Sequence, residues 1–219
     1  FRSTVRARKV LEDQDYFLAE DTRVFKQLLN HLEIDISTKK IDSFHDHTDS
    51  KISYLVGQLD NGTDLYIVSD AGSPIVSDPG YPLIREALRR GHDVNTFPGV
   101  TAVITALELS GLPPHPFHFH GFLAREEERK KTTFSQTQSI AGTHIFFDAP
   151  TRILKTLRAL AMVLPEVEVC AARELTKKFE TAVRFKAKDF NDEMLNAKGE
   201  FVLLYHIDKD NLKASGSGE

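Results

Sequence analysis

The sequence predicts an α/β protein made of two α/β domains, and three observations carry that prediction. Through the first half, short apolar runs suited to strands alternate with segments of helical period, the pattern of a largely parallel sheet with crossover helices. At Gly111-Leu112-Pro113-Pro114-His115-Pro116 the texture changes, because three prolines in four positions cannot continue a helix. Beyond that point strand-like and helix-like segments resume as a second α/β domain of mixed sheet. The expected division is an N-terminal domain over residues 1–112, a linker at 113–116, a C-terminal domain over 117–208 and a flexible tail at 209–219.

Taken in order, Ser3 suits the N-cap of a helix carrying Ala7, Val10 and Leu11 at helical spacing. Tyr16 to Ala19 reads as a strand. Asp21 or Thr22 caps the next helix, Val24 to Leu32, with Phe25, Leu28, Leu29 and Leu32 inward. Ile41 to Phe44 is a strand, and Ile52, Leu55, Val56 and Leu59 mark an amphipathic helix stopped by Asp60-Asn61-Gly62. The strand Leu65 to Val68, a helix from Tyr81 to Arg90, the strand Val94 to Phe97 and an apolar helix from Thr101 to Leu109 complete the first half. The second offers the strand Phe117 to Leu123, a charged helix, the strand His144 to Phe147, the helix Ile153 to Val163 and the strand Val167 to Ala172. A helix near Asp192 to Asn196 and the strand Phe201 to Tyr205 close it.

Composition narrows the function. The 219 residues are 41% apolar and 27% charged, an ordinary globular balance, with no apolar run long enough to cross a bilayer and no charged segment leading into an apolar one at the start. A cytoplasmic protein without a membrane partner is expected. The single Cys170, in an apolar strand, excludes a disulfide framework and a cysteine zinc site. With 28 basic and 32 acidic residues the chain carries a net charge of −4, so any contact with nucleic acid must be local.

Four loops fall where open α/β sheets bind ligands, beyond the carboxyl ends of strands. They are Glu20-Asp21-Thr22-Arg23, the stretch from Ser69 to Gly80 (SDAGSPIVSDPG), Pro98-Gly99-Val100-Thr101-Ala102, and Phe147-Asp148-Ala149-Pro150-Thr151-Arg152. By itself SDAGSPIVSDPG admits two readings, a set of turns and caps or a ligand cradle. Neither G-x-G-x-x-G nor G-x-x-x-x-G-K-[ST] is present, so neither a Rossmann dinucleotide site nor a P-loop is supported.

Eight motifs in order carry a family resemblance. Ala19-Glu20-Asp21-Thr22-Arg23, Phe44-His45-Asp46-His47, Ser69-Asp70-Ala71-Gly72-Ser73-Pro74 with Ser77-Asp78-Pro79-Gly80, and Pro98-Gly99-Val100-Thr101-Ala102 are followed by four more. These are Gly121-Phe122-Leu123, Phe147-Asp148-Ala149-Pro150-Thr151-Arg152, Ala172-Arg173-Glu174-Leu175-Thr176-Lys177 and Lys198-Gly199-Glu200-Phe201. From about Ser3 to Tyr205 the chain resembles the bacterial 16S rRNA (cytidine-2′-O)-methyltransferase family of the tetrapyrrole methylase superfamily. Phe44 stands where that family usually has Tyr, Asp46 where it has Glu, and Asp148-Ala149 with Thr151 where it has Glu-Ser and His. The family's first strand and Gly-Asn-Leu turn fall before Phe1, and the resemblance implies that an active protein carries them.

The resemblance implies S-adenosylmethionine in a cleft between two domains, in a tetrapyrrole methylase-like fold rather than that of the Rossmann methyltransferases. It places Asp70, Ala71, Gly72 and Ser73 against the methionine portion, Thr101 and Ala102 at a helix start beside it, and Phe147 and Ala172 along the adenosine pocket. Glu20, Asp21 and His45 become candidate general bases for a ribose hydroxyl. Arg23, Arg125, Arg152, Arg173 and Lys177 become candidate contacts to 16S rRNA in the small ribosomal subunit, and a homodimer is implied. Phe44 and Phe122 are candidates for stacking on a base. Simpler readings stand beside these: Glu20 and Asp21 also suit a helix cap with Arg23 as ion-pair partner, and His45 with His47 is too small a set for a metal site. Porphyrin or modified-histidine methylation, and a non-catalytic RNA-binding module, are the alternatives.

Overall fold

In a computed structural model of the protein, residues 4–45 and 49–209 are described. The chain divides into two compact units, Phe1–Thr101 and Ala102–Glu219.

In the first unit, α1 (Val5–Asp13) begins at Thr4, whose hydroxyl accepts the Ala7 N–H at 3.2 Å. Ser3, the expected cap, lies outside the described residues, as do Asp46, His47 and residues 210–219 of the expected tail. β1 (Tyr16–Ala19) is buried throughout, because it is the middle strand of a parallel sheet of order β2-β1-β3. Its partners are β2 (Lys40–Ser43) and β3 (Tyr66–Val68). α2 (Thr22–His31) connects β1 to β2, and α3 (Asp49–Asp60) carries the chain back to β3.

The two-residue period of β1 sorts its side chains. Phe17 and Ala19 pack with Phe25 and Leu29 of α2, while Tyr16 and Leu18 pack with Leu55 and Val56 of α3 and Leu83 of α4 (Tyr81–Arg89). Burying a side chain such as Leu18 or Phe17 contributes ~1.5–3 kcal/mol. Residues 94–97, expected as a strand, form none; a four-residue run interrupted by Asn95 gains nothing as a strand without a ladder partner. Phe97 instead lies under the Arg6 guanidinium, 5.0 Å from the ring centre.

The second unit is a five-stranded mixed sheet of order β4-β5-β8-β6-β7. β4 (Phe117–Phe122) and β5 (Gly142–Asp148) are parallel; β6 (Glu168–Arg173), β7 (Thr181–Lys186) and β8 (Phe201–Ile207) join in antiparallel register. α6 (Glu127–Thr137) and α7 (Ile153–Val163) cover one face, where Phe134, Leu157 and Leu160 meet Phe146, Leu203 and Tyr205. The apolar α5 (Ala102–Ser110) covers the other, with Val103, Ala106 and Leu107 against Ile145, Ala172 and Leu204. Arg184 of β7 fastens its end by donating to the Ser110 carbonyl at 2.9 Å and to that of Leu109. This packing places α5 in the second unit, so the boundary falls at Thr101/Ala102, eleven residues before the proline run that marked it in the sequence.

β7 is a strand beyond those expected from the sequence, and the expected helix at 192–196 is a single 3-10 turn, Asp192–Met194. His118 and His120 share a face of β4, as the period of two requires, and His120 is exposed. Both stack on His144, with ring centres 5.1 and 5.2 Å away, and His144 in turn stacks on Tyr205. Among the described residues, no helix is long and apolar enough to cross a membrane.

Candidate functional site

Parallel pairing brings three of the sequence motifs to one edge. Ala19 pairs with Ser43 on one side and Val68 on the other, so Glu20-Asp21, Phe44-His45 and Ser69-Asp70 all leave the sheet at its carboxyl end. The order β2-β1-β3 reverses the direction of winding at β1, and the crevice between β1 and β3 is the switch point at which open α/β sheets take ligands.

Two reciprocal bonds join the loops there. The Asp21 N–H donates to Asp70 Oδ1 at 3.3 Å, and the Asp70 N–H donates to Glu20 Oε2 at 3.2 Å. Three carboxylates are thereby gathered at one strand end. Asp21 serves largely as a cap: Oδ1 accepts the Arg23 N–H at 2.8 Å, and the Arg23 guanidinium grips both oxygens at 3.1 and 2.7 Å. The same guanidinium holds the Asp21 carboxyl well below the usual carboxylate range, which makes it a poor proton acceptor. Glu20 spends one oxygen on the Asp70 N–H. Of the two, Glu20 is the better placed base. His45 is exposed at the end of β2, while Phe44 is buried and its N–H extends the β1 ladder by donating to the Ala19 carbonyl at 2.8 Å.

SDAGSPIVSDPG divides into two parts. In the first, Ser69 Oγ approaches the Ala71 and Gly72 carbonyls at 3.4 Å, and Gly72 adopts φ +80°. Nothing lies within 4 Å of where a Gly72 Cβ would stand, so the backbone faces open space that a side chain would fill. In the second part the chain closes on itself: the Gly80 N–H donates to the Pro74 carbonyl at 2.9 Å, and a Cβ at Gly80 would meet that oxygen at 2.3 Å. Gly80 is the N-cap of α4, and Pro82 stands in the first turn. A concavity of about 220 Å³ in this unit is lined by Leu18, Asp42, Ser43, Lys51, Tyr54 and Leu55, and includes none of the predicted ligand residues.

In the second unit, Phe147 at the end of β5 is half-buried between Phe119 and Phe122, with ring centres 4.9 and 5.3 Å away. Phe119 went unnoticed in the sequence because only its register beside β5 makes the group. Ala102 opens α5 directly after Thr101, as the resemblance implied. Ala172 is wholly buried beneath α5, with its backbone in the ladder to Val202 and Ala182, and its methyl belongs to the core.

The five cations proposed for RNA separate into two kinds. Arg23, Arg125 and Lys177 are exposed, although Arg23 is also paired with Asp21 and Lys177 with Glu174 and Glu200. Arg152 is instead paired at 3.0 Å with the buried Asp148, which also accepts the Thr156 hydroxyl at 2.5 Å. Arg173 is 8% exposed and donates to the carbonyls of Lys198 at 2.6 Å and Phe179 at 3.0 Å. Both arginines hold loops. Cys170 is buried, which pushes its thiol pKa up.

Comparison with known proteins fits this geometry. The family model described as tetrapyrrole (corrin/porphyrin) methylases matches residues 3–191. The chain is 39% identical to the ribosomal RNA small subunit methyltransferase I of Halalkalibacterium halodurans, over 92% of this chain and 70% of that protein. Among solved structures, diphthine synthase superposes with a TM-score of 0.70 at 12% identity, covering 93% of this chain and 84% of that one. The uroporphyrin-III C-methyltransferase of Thermus thermophilus, complexed with S-adenyl homocysteine, gives 0.56 at 14% identity, covering 96% of this chain and 92% of that one.

Proposed function

Because the chain belongs to the tetrapyrrole methylase family, and within it to the ribosomal RNA small subunit methyltransferase I group, we propose that it methylates a ribose 2′-oxygen in small-subunit rRNA. The acceptor is a cytidine of the decoding region of 16S rRNA, and the donor is S-adenosylmethionine. On this reading the enzyme is a cytoplasmic homodimer.

The observation that carries the proposal is the gathering of Glu20, Asp21 and Asp70 at the switch point, beside the open backbone at Gly72. The donor set suits the cofactor: a carboxylate at Asp70 complements a sulfonium, and glycine allows close backbone approach. When bound, S-adenosylmethionine supplies an already activated methyl group. Asp70 to Ser73 would hold its methionine portion, with Thr101, Ala102 and Phe147 as the further contacts that family membership suggests. Glu20, with one oxygen on the Asp70 N–H, would take the 2′-hydroxyl proton on the other; the cofactor would supply the methyl group to the ribose oxygen, its methyl carbon–sulfur bond breaking to leave the neutral demethylated product. Alignment of the reacting atoms supplies up to roughly 7–11 kcal/mol, and a base adds about 10²–10⁴-fold. Arg23, Arg125 and Lys177 meet phosphates, while Arg152 and Arg173 keep the loops in shape.

Calorimetry with S-adenosylmethionine or its demethylated product tests the cofactor: binding is expected, and Asp70→Ala is expected to weaken it. Transfer of labelled methyl to isolated small subunits, compared with naked rRNA, tests the acceptor. Absence of cofactor binding sinks the methyltransferase reading and leaves an RNA-binding module. Labelling of a porphyrin or of a modified histidine in an elongation factor, with rRNA untouched, keeps the family and removes the acceptor.

A further inference from the structure

The loop between β6 and β7, residues 174–180, is held more firmly than a connection needs. Arg173, at its base, is buried and fixes the Lys198 and Phe179 carbonyls. The Glu174 N–H donates to the Glu200 carbonyl at 3.0 Å, and the Glu174 carboxylate accepts the Glu200 N–H at 2.9 Å. Gly199, at φ +88°, leaves no room for a Cβ, which would stand 2.5 Å from the Glu174 side chain. The Thr176 N–H is bound by Glu180. Within this clamp Glu174 and the β-branched Thr176 sit at φ 49° and 65°, a left-handed geometry that strains a non-glycine residue.

What the clamp presents to solvent is an aromatic ring among cations. Phe179 is 61% exposed, although its backbone carbonyl is fixed by Arg173. The Lys178 ammonium stands 5.7 Å from its ring centre. The nearby carboxylates are already engaged: Glu174 and Glu200 share Lys177 at 3.2 and 3.0 Å, and Glu180 takes the Thr176 N–H. Among the described residues, Lys178 pairs with no carboxylate. An exposed ring on a fixed backbone, beside an ammonium paired with no carboxylate, matches an unpaired nucleotide, whose base stacks on the ring while its phosphate meets the cation.

We propose that Phe179, with Lys178, is a stacking platform for an unpaired base of the RNA substrate. The inference rests on the rRNA reading above and adds to it a defined contact on a loop of the second unit. Of the stacking candidates drawn from the sequence, Phe44 is buried, whereas Phe122 is as exposed as Phe179 but has its ring centre 5.3 Å from that of Phe147 and no cation over its face among the described residues.

The chain contains no tryptophan, so Phe179→Trp places a single reporter at the site. Its emission is expected to be quenched by isolated small subunits and by a single-stranded RNA of about ten nucleotides, but not by duplex RNA. Phe179→Ala is expected to weaken RNA binding about 5- to 150-fold, the loss of one stacked base. Phe179→Tyr should retain binding and Phe179→Leu should not, while affinity for the demethylated cofactor stays unchanged in all three. Silence of the reporter on both RNAs, or a Leu variant that binds as the parent does, overturns the proposal. Methyl transfer by the unsubstituted protein reads the enzymatic proposal separately. Quenching without transfer leaves the platform and removes the activity; transfer with an unchanged KM in Phe179→Ala does the reverse.

Discussion

At the scale of single residues, charge and donor geometry make distinct predictions. Asp70→Asn preserves the acceptor for the Asp21 N–H but removes the carboxylate charge. It is therefore expected to weaken S-adenosylmethionine, which carries a sulfonium, more than the neutral demethylated product, and calorimetry with both ligands measures the difference. Equal losses would mean that Asp70 acts through the loop alone. Arg173 illustrates how a residue type can mislead. An arginine in a motif next to lysines reads as an RNA contact, and no one-dimensional signal reveals that its guanidinium turns inward to two backbone carbonyls. Lysine cannot reproduce that fork, so Arg173→Lys is expected to lower stability by ~1.5–3 kcal/mol in urea titrations. Asp21 behaved as its simpler reading required, because its neighbours in sequence, Arg23 and the first turn of α2, are also its partners in space.

At the scale of elements, local pattern and tertiary packing diverge. β1, α2, α7 and β8 were legible because their apolar period matches the face they bury. The run at 94–97 shares that composition but has no ladder partner among the described residues, and β7 hides its alternation behind charge, since Arg184 points to the end of α5. Glycines give a sharp contrast within the first unit. Gly57 lies inside α3 with nothing within 4 Å of a Cβ, so Gly57→Ala is expected to raise stability by ~0.5–1 kcal/mol. Gly80→Ala drives a methyl into the Pro74 carbonyl and is expected to lower stability by ~1–3 kcal/mol. Thermal unfolding of the pair checks the sign of each. The histidine column on β4 and β5 adds a pH dependence. His144 is fully buried, and its Nε2 stands 2.9 Å from the Ile140 carbonyl, so Nε2 is the protonated nitrogen and Nδ1 accepts from His120 at 2.9 Å. Burial lowers its pKa from 6.5 to about 4. Between those values the unfolded chain binds the extra proton, so stability is full above about pH 6.5 and falls by ~3 kcal/mol as pH drops toward 4. Replacing His144 with Gln should flatten that slope in urea titrations at pH 7 and 5.

At the scale of the molecule, membership of the ribosomal RNA small subunit methyltransferase I group and the presence of two units were legible along the chain, while the boundary between the units came from packing. Proline density is a signal about the backbone, and α5 belongs to the sheet it covers, whatever precedes the prolines. The net charge of −4 predicts that RNA binding rests on few phosphates. The logarithmic salt dependence of binding to small subunits is expected to be shallow, with a slope of about −2 to −4, whereas a general polyanion binder gives a steeper one. The order β4-β5-β8-β6-β7 has a further consequence for synthesis on the ribosome. The strand that arrives last occupies the centre of its sheet, so β4-β5 and β6-β7 remain two separate ribbons, each with an open inner edge, until Phe201–Ile207 is made. A two-stranded ribbon is marginal alone and its open edge invites pairing with other chains. A nascent chain stalled before residue 201 thus exposes both inner edges, and β8 is the strand that joins the two ribbons into one sheet.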